Sequence, residues 1–150
     1  MKLSKDFTKK ELTKTDTGLA NITGEKDTAF LLLLAVFLLQ PIRDRFGKYT
    51  INSGFRCSKV NREIGGSSTS QHMEGQAADG FPEEADIYEV YKWIVEKSGI
   101  HFGQCIIYPS EGFIHISLPR LYKSNSQALI CHEEKYLPYS EEKLNEITGG

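Results

Sequence analysis

An α+β domain with an antiparallel sheet is the fold class that the sequence predicts, and three stretches carry the prediction. Residues 29–39, AFLLLLAVFLL, form an apolar run of about eleven residues. A membrane span needs roughly 20, so the run reads as a buried core helix. In ADIYEVYKWIVEKSG, residues 85–99, apolar side chains at 87, 90, 91, 94 and 95 share one helical face. Finally, two strand-forming runs in HFGQCIIYPSEGFIHISLP flank PSEG, whose Pro and Gly favour a turn, so the segment predicts an antiparallel hairpin. Helices mixed with a hairpin, without strict βαβ alternation, indicate α+β.

Residues 4–13 pair Phe7 with Leu12 among polar neighbours, and Ser4 or Thr8 caps a short helix there. The polar KTDTGLANITGEKD is a loop. The helix that follows runs from about Glu25 to Arg45 and is entered through Glu25 and Asp27, with Pro41 kinking or ending it. KYTINSGFR alternates as a strand with Tyr49 and Ile51 on one side. A second short helix covers CSKVNREIGG and stops at Gly65 and Gly66. Counting outward from the hairpin turn, Tyr108 opposes Phe113, Ile106 opposes His115 and Gln104 opposes Ser117. His115 then shares a face with these residues, while Ile114 and Ile116 point into the core. Beyond Pro119 the pattern weakens to one short strand near residues 128–131 and a polar tail.

The chain of 150 residues fits one domain. Its charged fraction of 25% and hydrophobic fraction of 39% are those of a globular protein. A formal net charge of −2 argues against nucleic acid as a partner, because phosphate binding needs clustered Lys and Arg. Cys57, Cys105 and Cys131 are odd in number and irregularly spaced, which fits a reducing compartment better than a disulfide framework. The N-terminus lacks the apolar core of a signal peptide, so the expected location is the cytoplasm, and a target outside it would need another means of delivery.

The chemistry concentrates in STSQHMEGQAADGF, residues 68–81, which reads as neither a helix nor an ordinary strand. His72 and Asp79 from one loop, with His115 from the facing strand, offer two nitrogens and one oxygen. Three protein ligands plus an open position suit a catalytic Zn²⁺. The plainer reading of the same spacing is a surface histidine and a loop aspartate capping the next helix. Small residues at Gly75, Ala77 and Ala78 permit close backbone approach, and Ser70 or Gln71 is placed to orient a ligand through hydrogen bonds.

The block SGFRC…N…GG…SQHMEGQAAD…IHIS resembles the zinc peptidases of the D-alanyl-D-alanine carboxypeptidase family. That family includes phage L-alanyl-D-glutamate endolysins and shares a fold with the Hedgehog signalling domain. The resemblance covers roughly residues 7–118, leaving 120–150 as a C-terminal extension. The motif S-x-H-x-x-G-x-A-x-D is met at Ser70, His72, Gly75, Ala77 and Asp79. It implies a single zinc ion held by His72, Asp79 and His115, with Arg56 as a catalytic or substrate-binding cation. Gln104 and Tyr108, on the His115 face, join Ser70 and Gln71 as substrate-binding candidates.

Such a site implies hydrolysis of peptide bonds in bacterial peptidoglycan, with stem peptides as the partner and a carboxylate to move the proton. Relatives usually carry Asp or Glu three residues before the final histidine, where this chain has Gly112. Glu111 is the nearest carboxylate, but four residues on a straight strand span roughly 13 Å, so the turn must fold it closer. Glu74 is a second candidate. The phenol of Tyr108, with an ordinary pKa of about 10, is a poor base at neutral pH. The competing expectations are a catalytically impaired module that binds stem peptides and an intracellular protein without metal.

Overall fold

The computed structural model describes residues 1–120 and 126–149; residues 121–125 and 150 of the C-terminal extension lie outside it. Short helix α1 (Lys9–Thr13) starts at Thr8, whose hydroxyl caps Glu11 N–H while the Glu11 carboxylate reaches back to Thr8 N–H. This reciprocal pair satisfies two amide donors that the helix start leaves free. Phe7 and Leu12 are buried together in the core.

The apolar run folds as α2 (Glu25–Leu34), a π-helical turn (Ala35–Leu39) and α3 (Gln40–Phe46). Pro41 neither ends nor interrupts this helix. The π-turn directly precedes it, and Gln40 N–H reaches back five residues to the Ala35 carbonyl. Widening the ladder there lets the chain run on past a residue that has no N–H to give. The expectation of a fully buried helix is corrected: Leu31, Leu34, Ala35, Leu38, Leu39 and Ile42 face the core, but Leu32, Leu33, Val36 and Phe37 are 39% to 61% exposed. The sequence is apolar all round, so its composition does not mark which face the core takes. Among the described residues no helix is long and apolar enough to cross a membrane.

Strands β1 (Tyr49–Ser53), β2 (Ala77–Pro82), β3 (Gln104–Tyr108), β4 (Phe113–Ser117), β5 (Gln127–His132) and β6 (Lys135–Pro138) form one sheet in the order β1-β2-β4-β3-β5-β6. The β3–β4 register follows the sequence reading, with Tyr108 opposite Phe113 and Ile106 opposite His115. Ile114 and Ile116 are fully buried. The sheet is mixed, which corrects the antiparallel expectation: β5 lies parallel to β3, pairing Ile106 with Leu129. Two stretches read as loop or tail are structured. Residues 77–82 are a central strand, and the polar tail holds β6 and helix α6 (Glu141–Thr148).

Helix α4 (Ser58–Glu63) and α5 (Ile87–Glu96) complete the fold. Asp86 caps α5, accepting from Tyr88 N–H, and Val90, Tyr91 and Ile94 bury its predicted apolar face. The core joins α1, α2, α3 and α5 to one face of the sheet and includes Ile130 and Leu144 from the C-terminal extension. The opposite face of the sheet is left to the site.

Candidate metal centre and cleft

Pleating puts Asp79 of β2 directly opposite His115 of β4, on the face away from the core. Their neighbours Ala78 and Ile116 point the other way into it. His72 approaches from a 3₁₀ turn (Gln71–Glu74), which Ser70 caps by accepting from His72 N–H. The turn closes at Gly75, with φ +74, and a Cβ there would collide with the Asp27 carbonyl of α2. The motif glycine thus seats the His72 turn against helix backbone. Gly54 likewise presses on the Leu12 backbone.

The SGFR segment is strapped from both sides. Phe55 N–H donates to Leu12 O (2.7 Å) and Arg56 N–H to His72 O (2.9 Å). The Asn21 amide donates to Thr13 O and Phe55 O and accepts from Cys57 N–H. Gly54 O accepts from His72 Nδ1 at 2.7 Å. Since a carbonyl only accepts, Nδ1 carries the proton, and Nε2 of the neutral ring keeps its lone pair for a ligand.

Three ligand atoms converge. Asp79 Oδ1 lies 2.8 Å from His115 Nδ1 and 3.3 Å from His72 Nε2, and the two nitrogens are 3.3 Å apart. A tetrahedral Zn²⁺ with bonds of about 2.0–2.1 Å holds its ligands roughly 3.3–3.4 Å from one another. The two separations made by His72 match that spacing, while the hydrogen-bonded Asp79–His115 pair is about 0.5 Å shorter, so these nitrogen and oxygen donors fit such an ion once that pair opens slightly. Without a metal, burial by itself pushes the Asp79 carboxyl up, but the charge of a protonated His72 and the hydrogen bonds that protonated imidazoles of His115 and His72 donate outweigh it and hold the group below the usual carboxylate range. Asp79 is thus ionised, as a ligand must be.

A cleft of about 1200 Å³ opens over the three ligands, lined by Arg56, Ser70, Gln71, Gln104 and Tyr108 among others. Arg56 Nη2 donates to Ser70 Oγ (3.2 Å). Burial depresses the Arg56 pKa while the Asp79 charge supports it; a guanidinium stays protonated at neutral pH regardless. Gln71 spends its amide on the Leu118 carbonyl (2.9 Å) and Gln76 (3.0 Å), so it braces the wall of the cleft. Tyr108 stacks on Phe113 and shares a hydrogen bond with Tyr136 (3.3 Å). Burial first, then that bond, push its phenol up, so Tyr108 is a neutral hydrogen-bonding group.

Glu111 is not brought to the cleft. It is exposed in the β3–β4 turn, and neither it nor Glu74 lines the cavity. Among the described lining residues the sole carboxylate is Asp79. Sequence reasoning missed Arg120, Gln127, Leu129 and Tyr136, which also line the cleft. Gln127, Leu129 and Tyr136 belong to the β5–β6 hairpin, whose turn residues Glu133 and Glu134 both adopt positive φ. Such turns are normally signalled by Asn-Gly or Gly-Gly, so Glu-Glu hides the hairpin. His101 and His132 lie outside the cleft lining.

A family model described as Peptidase M15 matches residues 5–117, from before α1 to the end of β4. The matched span contains Arg56, His72, Asp79 and His115. The zinc D-Ala-D-Ala carboxypeptidase of Streptomyces albus G is 43% identical over 49 residues, which cover 31% of this chain and 19% of that protein. With the family model spanning most of the chain, the chain belongs to the peptidase M15 family.

Proposed function

We propose that the protein is a zinc peptidase that hydrolyses peptide bonds of bacterial peptidoglycan, as a D,D-carboxypeptidase or an endolysin. The observation that carries this reading is the convergence of His72 Nε2, Asp79 Oδ1 and His115 Nδ1 in a cleft walled by Arg56. The substrate class is supported by the related carboxypeptidase, whose name specifies D-Ala-D-Ala. Zinc, when bound, supplies Lewis acidity that polarises a carbonyl and acidifies water.

The chain's own residues supply the rest. Gly54 O fixes the His72 tautomer, Ser70 steadies Arg56, and Arg56 donates hydrogen bonds to the carbonyl oxygen as negative charge grows on it. Gln71 keeps the wall beside His72 in place through Leu118. To test the reading, zinc-loaded protein is incubated with purified sacculi of several wall types, and newly freed amines are measured. Release is expected, and its absence from every wall type would sink the proposal.

A second reading has one observation in its favour: the described lining of the cleft holds no carboxylate free to move a proton. On that reading the protein is a metal-binding module that recognises stem peptides without cutting them. An inert protein that co-sediments with sacculi supports the module. An active protein silenced by Glu111→Ala or Glu74→Ala supports the enzyme.

A further inference from the structure

Two guanidinium groups are held by consecutive residues on one wall of the cleft. Arg56 Nη2 donates to Ser70 Oγ, and Arg120 Nη2 donates to the Thr69 carbonyl at 2.8 Å. Bond lengths alone then bring these two nitrogens within about 13 Å of each other. Among the described residues neither arginine forms an ion pair; the arginine ion pair present there is that of Arg43 with Asp6. Asp79, the sole carboxylate in the described lining, is engaged by the two imidazoles. The wall of the cleft beside residues 69 and 70 is therefore cationic in a chain whose formal net charge is −2.

The side toward β3, β5 and β6 carries no charge in its described lining. Gln104 Nε2 donates to Gln127 Oε1 (2.9 Å), and Tyr108 pairs with Tyr136. Such a gradient orients a substrate, drawing an anionic group to the arginines and uncharged peptide to the amides and phenols. Only one of the five N–H donors of Arg120 is used in this hydrogen bond, and a guanidinium matches a carboxylate in paired, parallel hydrogen bonds. Arg120 also lies beyond residue 117, where the family match ends, so it is a feature of this chain that the family model does not supply.

We propose that Arg120 is a specificity-determining residue that binds a carboxylate of the substrate peptide, leaving Arg56 to the scissile carbonyl. This rests on the peptidase reading for its substrate. Two sources carry the same group, the C-terminal carboxylate of a stem peptide and the α-carboxylate of a γ-linked glutamate within it.

Binding to the zinc-loaded full chain is measured by calorimetry for two pairs of probes. D-alanine and D-alaninamide differ in a terminal carboxylate; L-alanyl-D-glutamate and L-alanyl-D-isoglutamine differ in the internal one. The acid of one pair is expected to bind at least 10-fold more tightly than its amide. Arg120→Gln should collapse that preference toward 1, and Arg120→Lys should restore part of it. The responding pair identifies the source. No acid preference in either pair, or a preference that Arg120→Gln leaves intact, overturns the proposal; the latter places the carboxylate on the metal or on Arg56. Cleavage of N-acetylated stem peptides is followed in parallel. A chain that cleaves nothing yet shows the Arg120-dependent preference refutes the peptidase reading alone. A chain that cleaves peptides without that preference refutes the role of Arg120 alone.

Discussion

Replacing Gly75 by alanine separates two costs that a motif glycine can hide. Gly75 and Gly65 share φ +74, but a Cβ at Gly75 meets the Asp27 carbonyl and comes within 3.2 Å of Leu31 Cγ, while nothing lies within 4 Å of one at Gly65. The left-handed backbone alone costs an alanine about 1–2 kcal/mol. Gly65→Ala should lose that and no more. Gly75→Ala must also push the 3₁₀ turn away from α2, and overpacking of this kind adds typically ~1–3 kcal/mol. The assay is urea unfolding of both metal-free variants, which keeps zinc out of the comparison. Because His72 rides on the displaced turn, zinc affinity measured against a competing chelator should also fall, by about 10-fold, for Gly75→Ala and not for Gly65→Ala. Equal stability losses within about 0.5 kcal/mol would refute the close contact between turn and helix as the reason for a glycine there.

Zinc stoichiometry should fall from about one per chain toward none in His72→Ala, His115→Ala and Asp79→Asn, since each removes one of three protein ligands; metal analysis showing the parent value in all three contradicts the proposed ligand set. Gln71→Ala should destabilise the chain by ~1–3 kcal/mol in urea, because the buried hydrogen bond to the Leu118 carbonyl is lost; a change below about 0.5 kcal/mol would show that the brace is replaceable. Stability should also drop in alkali. Burial first of all raises the phenols of Tyr49 and Tyr91. Above about pH 10 the unfolded chain then holds fewer protons than the folded one, and stability falls with pH by up to ~1.4 kcal/mol per unit for each buried phenol. Unfolding curves that coincide at pH 9 and pH 11 would refute those shifts.

The parts of the fold legible in the sequence depend on neighbours along the chain. The Thr8 cap, the apolar face of α5 and the β3–β4 register follow from spacings of a few residues, and the register alone puts His115 on the face opposite Ile114 and Ile116. Other features had no such local signature. The β5–β6 hairpin turns on Glu133 and Glu134, an atypical pair for positive φ. Residues 77–82 looked irregular because Ala77, Ala78 and Gly80 lack the branched and aromatic side chains that mark a strand. They are small because the segment is a central strand in close contact: Ala77 and Ala78 are buried, and a Cβ at Gly80 would meet the Tyr49 ring at 2.6 Å.

By itself the sequence determined which residues can chemically hold a metal and that His72, Asp79 and Gly75 belong to one motif, since residue type and spacing are properties of the chain. Only the tertiary structure decided how they meet. The pairing of β2 with β4 sets Asp79 opposite His115, the Gly54 carbonyl selects the nitrogen that His72 presents, and the turn leaves Glu111 in solvent. The parallel pairing of β5 with β3 brings Gln127 and Leu129 to the same cleft as Gln104 and Ile106. These contacts join residues far apart in the chain, and their free energy comes from burial and hydrogen bonds that exist only once the sheet has formed.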